Sequence, residues 1–304
     1  MVLRESLLYL SRRRQLGHVV TTTPVARRLA RRFVAGETLD QAVEAVRVLN
    51  RRGIHATLDH LGEGVATADE ALNAANAYLE ILDRIAEEKV DSNVSLKLTQ
   101  MGLDVDADLC RDNLVRILDR ARERSNFVCI DMEDSAHVQA TLDLFGELRS
   151  RYDNVGAVVQ AYLYRSRQDV ESLIALGARL RLCKGAYAEP PELAFPAKAD
   201  TDRSFVELME LLLWRGDYPA IATHDERLIR QALGFAQRQG IARARFEFQM
   251  LYGIRRDLQE ELARGGHNVR AYVPFGTEWY PYFMRRLAER PANLAFLLTN
   301  VFRR

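Results

Sequence analysis

This chain of 304 residues contains little cysteine and no apolar run of membrane-spanning length. The three cysteines, Cys110, Cys129 and Cys183, have no spacing typical of a disulfide framework or a zinc motif. No secretory signal with a small-residue cleavage site opens the sequence. These absences predict a cytoplasmic protein. The basic, amphipathic segment 3–14 leaves open a peripheral contact at the inner face of the membrane, beside its simpler interpretation as a surface helix.

The sequence also lacks an excess of charge and any segment that looks like a linker. Its formal net charge is +1, and the arginine clusters at 12–14 and 27–32 contain no interleaved stacking aromatics, so we expect no nucleic-acid partner. With 48% apolar and 28% charged residues, the chain can bury a large core. We therefore expect one domain overall, with an N-terminal helical arm over residues 1–53 followed by a repeating part over 54–304.

The repeating part consists of eight short apolar runs separated by helix-length segments. Such alternation predicts an α/β protein with a parallel sheet, and eight repeats predict a (β/α)8 TIM barrel. One connecting segment has a capping box at Thr67 and Glu70, followed by an apolar stripe that begins at Leu72 and includes Ala75 and Leu82. The eight runs are IHATLDHL (54–61), NVSLKL (93–98), FVCIDM (127–132), GAVVQAYL (156–163), RLRLCKGA (179–186), AIATHD (220–225), RFEFQML (245–251) and VRAYVPF (269–275).

Nearly every run carries a polar residue near its C-terminal end. Side chains alternate along a strand, so these polar residues share the inward face while their apolar neighbours face the helices. Active sites of barrel enzymes lie at the C-terminal ends of the strands, and we expect these residues to converge there. They are Asp59, Lys97, Asp131, Gln160, Arg181, Lys184, His224, Gln249 and Tyr272.

Lysine is rare, with four residues against 39 arginines, and two of the four lie in or at the end of apolar strands. A buried lysine is costly unless it is paired or takes part in chemistry, so Lys97 is a candidate functional residue. The alternative is a structural ion pair with Asp59 or Asp131. In the fifth run, we expect Arg181 to face inward and Lys184 to leave the strand in a turn that Gly185 eases.

A helix over 278–289 is predicted directly after the eighth strand, with Pro281 in its first turn. Such a helix starts on the active face. Arg285 and Arg286 could there grip a carboxylate, or could form surface ion pairs with Glu289. A proline-rich connection at 188–200, on the same face, is either a lid or an ordinary surface loop.

Four segments together resemble the proline dehydrogenases: RLRLCKGAY (179–187), FEFQMLYG (246–253), YVPFG (272–276) and RRLAE (285–289). The similarity covers 54–296, and the length is similar to that of the compact, monofunctional bacterial members. The resemblance implies a distorted barrel with the last helix over the catalytic face, and non-covalently bound FAD. It also implies oxidation of L-proline to Δ1-pyrroline-5-carboxylate, by hydride transfer from the ring carbon next to nitrogen to flavin N5, with electrons passed to a membrane quinone. No metal is implied.

Site residues follow from the resemblance position by position. Lys97, Arg285 and Arg286 match the residues that hold the proline carboxylate, whereas Tyr272 and Leu251 match those that enclose the substrate ring. Asp131 and Arg181 match the two polar catalytic positions, and Asp131 would orient a cation or take a direct proton role. The link from Tyr272 to Arg285 looks shorter than in the bifunctional members. The implied flavin contacts are Met132, Gln160, Lys184, Gly185, Ala186, Thr223, His224, Gln249, Met250 and Leu251, with Glu289 nearby.

Three other functions are compatible with a polar barrel mouth. Lys97 or Lys184 could form a Schiff base with a carbonyl, as in aldolases. Asp59, His60, His224 and Glu247 could bind the metal of a hydrolase, although the usual pair of histidines on one strand is missing. A non-catalytic scaffold would leave the convergent charges unexplained. Only the flavin enzyme would be yellow, so a visible spectrum separates these functions. The oligomeric state does not follow from the sequence.

Overall fold

A computed structural model describes residues 30–289 of the chain, with side chains described through Arg286. Outside these residues lie the segment 3–14, most of the predicted N-terminal arm and the side chain of Glu289. The strands are β1 (His55–His60), β2 (Ser92–Leu96), β3 (Val128–Ile130), β4 (Val155–Gln160), β5 (Arg179–Cys183), β6 (Ala220–Ala222), β7 (Glu247–Leu251) and β8 (Asn268–Phe275). The described helices are α1 (Leu39–Asn50), α2 (Ala68–Glu87), α3 (Ala107–Glu123), α4 (Val138–Arg149), α5 (Ser166–Ala175), α6 (Lys198–Arg215), α7 (Glu226–Arg238), α8 (Arg256–Arg264) and α9 (Trp279–Glu289).

The eight strands form a closed parallel barrel, as predicted from the eight apolar runs. Each strand pairs with the next one along the chain, and β8 closes the barrel by pairing with β1, for example Thr57 with Tyr272. Several predicted strands end earlier than expected. Lys97 and Asp131 are consequently the first residues after β2 and β3, whereas Lys184 follows the end of β5, as expected.

The helix after β1 begins as its capping box predicts, and Ala75 and Leu82 of the expected apolar stripe are buried. The hydroxyl of Thr67 accepts a hydrogen bond from the Glu70 amide at 3.2 Å, while the Glu70 carboxylate accepts one from the Ala66 amide. Leu72, expected to be buried, is 37% exposed. The buried face also includes Tyr78, whose hydroxyl donates to the carbonyl of Ser95 at 2.8 Å.

Helices α1 and α9 pack at different places on the barrel. α1 packs on the outside of β1 and β8 and buries its apolar stripe there, including Val43 and Val46. In a regular barrel the helix after the last strand joins the outer ring. Here α9 packs against Phe33, Val34 and Leu61 through its aromatic residues. This placement brings its arginines over the barrel mouth.

All three cysteines are free thiols. Burial raises the pKa of Cys129 and that of Cys183 to about 11, so neither is ionised at neutral pH. Within residues 30–289, no helix combines the length and the apolar character needed to cross a bilayer.

Candidate active site

A cavity of about 820 Å³ opens at the C-terminal ends of the strands. Its volume is within the range of sites for cofactors and drug-sized ligands. Every residue that the family resemblance assigns to the site, and whose side chain is described, lines this cavity. These residues are Lys97, Asp131, Met132, Gln160, Arg181, Lys184, Gly185, Ala186, Thr223, His224, Gln249, Met250, Leu251, Tyr272, Arg285 and Arg286.

Asp131 lies at the centre of a buried polar network. Its Oδ1 accepts hydrogen bonds from Arg181 Nη1 at 2.6 Å and from Ser95 Oγ at 3.0 Å. Its Oδ2 accepts one from the Tyr272 hydroxyl, also at 2.6 Å. Arg181 donates a second bond to Ser95, and its guanidinium lies 5.3 Å from the centre of the Tyr272 ring. Because both carboxylate oxygens accept from the protein, Asp131 is suited to fixing its neighbours in place.

Lys97 makes both of the ion pairs considered from the sequence. Its Nζ is 3.3 Å from Asp59 Oδ1 and 3.7 Å from Asp131 Oδ2, and the residue is only 8% exposed. Burial alone would lower the pKa of Lys97, but the two carboxylates hold it well above its ordinary value. The amine of Lys97 therefore stays protonated, which disfavours a Schiff base at this residue because that chemistry needs a neutral nucleophile.

Two further groups in the network keep their protons. Burial raises the pKa of the Tyr272 hydroxyl well above 10, with Asp131 and Asp59 adding to the effect. Burial works in the opposite direction on Arg181, but nearby Cys129 and Asp131 raise the pKa of its guanidinium. Tyr272 is therefore a hydrogen-bond donor, and Arg181 is a permanent positive charge on the cavity wall.

Arg285 and Glu63 form a two-bond ion pair at the cavity edge. Nη1 of Arg285 is 3.0 Å from Glu63 Oε2, and Nη2 is 2.6 Å from Oε1. The sequence analysis considered Glu289 as the partner and missed Glu63. Glu63 lies in the short loop LGEG (61–64) after β1, and its position at the C-terminal end of a strand was the available signal.

Arg286, next along α9, is buried and lines the same cavity. Its guanidinium lies 5.1 Å from the centre of the Tyr282 ring, within the distance for a cation–π contact. With Lys97 and Arg285, it gives the cavity three cationic groups from opposite parts of the sequence. This convergence is what the sequence analysis expected.

Lys184 leaves β5 in a turn, as predicted, and its Nζ lies 2.5 Å from Asp202. The turn requires glycine at its second position. Gly185 has a φ of +109°, and an added Cβ would lie 2.2 Å from the ring of Tyr162. Lys198 and Arg255 also line the cavity. The sequence analysis missed both because they lie outside the strands.

Three of the four residues proposed for a metal site are engaged elsewhere. Glu247 is paired with Arg270, with 2.9 Å between Oε1 and Nε, and Asp59 is paired with Lys97. His224 accepts a hydrogen bond from the Leu251 amide at 2.9 Å through Nε2. Across the described part of the chain, no three His, Cys, Asp or Glu side chains are grouped to hold a metal ion. This arrangement gives no support to the metal-hydrolase alternative.

Buried polar atoms around the cavity test whether a large polar cofactor suits it. Gln160 Oε1, Gln249 Oε1 and Arg181 Nε have no hydrogen-bond partner among the described residues. Buried polar groups in native proteins are normally satisfied, by water or ligand where not by protein. A polar ring system with several donors and acceptors therefore fits the donor and acceptor groups of this wall.

The closed barrel, with charged side chains converging at the strand ends, places the chain among the (β/α)8-barrel enzymes. The chain belongs to the proline dehydrogenase family, whose sequence profile matches residues 42–299. It is 44% identical over its full length to proline dehydrogenase 1 of Bacillus subtilis subsp. natto, and covers all of that protein. It is 42% identical to the proline dehydrogenase of Deinococcus radiodurans, over 90% of both chains.

Solved structures of larger proteins contain the same fold. Proline utilization A (PutA) from Bdellovibrio bacteriovorus, in a crystal structure of the protein inactivated by N-propargylglycine, superposes with a TM-score of 0.83 at 27% identity. PutA from Bradyrhizobium japonicum superposes with a TM-score of 0.75 at 26% identity. Each match covers 90% of this chain but only about a third of the larger protein, 34% and 32% respectively.

Proposed function

We propose that this protein oxidises L-proline to Δ1-pyrroline-5-carboxylate with non-covalently bound FAD, and passes the electrons to a quinone. The observation that carries the proposal is the convergence of Lys97, Arg285 and Arg286 on one cavity, beside the Asp131 network. Membership of the proline dehydrogenase family supports the same substrate.

The cavity offers a complement to each part of the substrate. Proline has one carboxylate, one secondary amine and an apolar ring. Lys97, Arg285 and Arg286 would bind the carboxylate, and the arginines can present two parallel N–H groups to it. Tyr272 and Leu251 would enclose the ring. Because Asp131 is held by Arg181 and Tyr272, its role would be to orient these groups.

The remaining cavity residues would hold the flavin. Met132, Gln160, Gln249, Thr223 and His224 line the wall next to the proposed substrate position. The bound flavin would supply the two-electron acceptor that the oxidation requires. Glu289 remains an expected neighbour of the flavin from the sequence alone.

The Lys184-Gly185-Ala186 turn would receive the flavin closely, since Gly185 leaves no side chain in the way. Lys184, Lys198 and Arg255 also line the cavity and would favour a dinucleotide with a diphosphate, hence FAD rather than FMN.

The chemical step would remove a hydride from the ring carbon next to nitrogen, for which the flavin would be the acceptor, and a proton from the nitrogen, which would pass to solvent. The product is the cyclic imine. Arg181 contributes a fixed positive charge at the cavity wall, where it would stabilise an electron-rich reduced cofactor. The three carboxylate-binding cations would hold the donor carbon in one orientation, and orientation lowers the barrier by avoiding an entropic cost during reaction. The proposed contact with a membrane quinone would be peripheral.

An anaerobic titration tests this function. The purified holoprotein should show a flavin spectrum in the visible range, and L-proline should bleach it with formation of one imine per flavin. The imine can be trapped with o-aminobenzaldehyde. A colourless protein, or a yellow protein that L-proline does not reduce, would contradict the proposal. Covalent trapping of Lys97 or Lys184 by borohydride with a carbonyl substrate would instead support the Schiff-base function.

A further inference from the structure

Glu133 is a buried carboxylate that is close enough to Lys97 to be affected by its charge. It is not among the residues that line the cavity. It follows Asp131 by two residues in the loop after β3. Its Oε1 accepts a hydrogen bond from the Thr99 amide at 3.0 Å, and its Oε2 accepts one from the Thr99 hydroxyl at 2.6 Å. Thr99 follows Lys97 by two residues in the loop after β2. One carboxylate thus ties together the two loops that begin with Asp131 and Lys97.

The same threonine holds a third loop. Its hydroxyl accepts a hydrogen bond from the Gly64 amide at 3.3 Å, and its carbonyl accepts one from the Val65 amide at 3.4 Å. Gly64 directly follows Glu63, the partner of Arg285. The donor and the acceptor of each of these hydrogen bonds are fixed. The Thr99 hydroxyl donates its only hydrogen to Glu133, and it can then only accept a hydrogen bond from Gly64.

Burial of this carboxylate carries a cost. Burial raises the pKa of Glu133, while the two hydrogen bonds from Thr99 and the charge of Lys97 act against the rise. An apolar residue at this position would avoid the desolvation penalty. An acidic residue here is therefore explained better by what it holds than by packing alone.

We propose that Glu133 is a positioning residue for the carboxylate-binding cations. Through Thr99 it fixes the positions of Lys97 and of the Glu63–Arg285 pair relative to Asp131. Glu133 touches neither the cavity nor its contents. Its effect is confined to the part of a substrate that the cations bind. The inference rests on the function proposed above, and it adds a residue to which the family resemblance assigned no role.

The test compares two substrates that differ only at the carboxylate. L-Proline has the anionic group that Lys97, Arg285 and Arg286 would bind, whereas L-prolinamide has the same ring and amine with a neutral amide. Anaerobic flavin reduction is measured for both with Glu133→Gln, and the ratio of their kcat/KM values is the readout. We expect the ratio of proline to prolinamide to fall about tenfold, through a higher KM for proline, with the flavin content unchanged.

Thr99 and Glu189 provide the matched variants. Thr99→Val removes the hydroxyl and should lower the ratio as Glu133→Gln does, whereas Thr99→Ser keeps the hydroxyl and should restore it. Glu189, in the loop after β5, accepts hydrogen bonds from the amide and the hydroxyl of Ser135, which is the same bonding pattern between the loops after β3 and β5. Glu189→Gln should leave the ratio unchanged. The Thr99 pair tests the same link if Glu133→Gln does not fold.

Three results would overturn the proposed role of Glu133. An equal loss for both substrates would show that Glu133 only supports the fold, and would overturn the inference. An unchanged ratio in Glu133→Gln or Thr99→Val would overturn it as well. A wild-type protein that binds no flavin, or does not oxidise proline, would remove the proposed function itself and this inference with it.

Discussion

Tyr272 on β8 donates its hydroxyl hydrogen to Asp131 at the end of β3, across the barrel mouth, at 2.6 Å. The bond joins the proposed wall of the substrate ring to the carboxylate that also holds Arg181. It forms between two elements far apart in sequence, and only closure of the barrel brings them together.

Replacing Tyr272 with Phe should keep the ring and remove this bond. Hydrogen bonds to charged groups contribute about 1.5–3 kcal/mol, so kcat/KM for proline should fall about tenfold or more. The rate of anaerobic flavin reduction measures the effect. Tyr152→Phe is the control, because the Tyr152 hydroxyl donates to Asp119 at 3.0 Å, outside the cavity. Equal behaviour of the two variants would argue against a role for the Tyr272 bond.

Arg286→Met should weaken proline binding while preserving most of the side-chain volume. Loss of a charge-assisted contact to the substrate carboxylate would cost about 2 kcal/mol, or roughly 30-fold in kcat/KM, mainly through a higher KM. Arg167 is an exposed arginine paired with Glu171 at 3.4 Å, and Arg167→Met is the matched control. Steady-state kinetics with varied proline would show the difference. Unchanged proline kinetics in Arg286→Met would refute this assignment.

Lys97→Met should destabilise the protein as well as impair it. Removal of the ammonium leaves Asp59 and Asp131 as buried carboxylates without their shared cation, at a cost of about 3 kcal/mol. The double variant Asp59→Asn with Lys97→Met removes one of those charges and should recover much of the loss. Urea unfolding measures both free energies. A double variant no more stable than Lys97→Met would mean that the ion pair does not account for the cost.

The ion pair between Glu63 and Arg285 should make stability depend on pH in the acid range. Burial tends to raise the pKa of Glu63, but the charges of Arg285 and Lys97 and the hydrogen bonds from Arg285 together outweigh it and lower the pKa below the ordinary 4.5. The pair therefore contributes stability above pH 4.5, and the contribution is lost as the pH falls through the lowered value.

Glu63→Gln should accordingly flatten the dependence of the unfolding free energy on pH below 4.5. The effect should be modest, since solvent screens this partly exposed carboxylate. Chemical unfolding of wild type and variant at several acid pH values would measure it. Parallel pH profiles for the two proteins would indicate that Glu63 titrates at its ordinary pKa.

Much of the fold and of the cavity wall could be predicted because strand geometry is periodic. Alternation along a strand was sufficient to place Arg181 inward, and the scarcity of lysine singled out Lys97. The same periodicity was less reliable on helices. Leu72 fits the apolar stripe of α2 but is exposed, whereas Tyr78, which was not predicted to be buried, is buried and donates a hydrogen bond to Ser95.

The loops could not be predicted in the same way. Glu63 and Arg255 line the cavity from segments without a regular period, where contacts depend on how the chain turns, and Lys198 does so from the first residue of α6. Arg255 has a φ of +50°, a left-handed conformation that no pattern of residue types indicated. Glu133 was missed for a different reason. Its importance depends on its two hydrogen bonds to Thr99, and the sequence alone does not show which residues are hydrogen-bonded to each other.

The account rests on recognition of a carboxylate by three cations beside a flavin. The most direct measurement is the anaerobic rate of flavin reduction in the wild-type protein by L-proline and by L-prolinamide, at matched concentrations. Proline should bleach the flavin rapidly. For prolinamide, kcat/KM should be lower by about 100-fold or more, because the neutral amide cannot make the charge-assisted contacts. Equal efficiency with the two compounds, or no bleaching by proline, would contradict it.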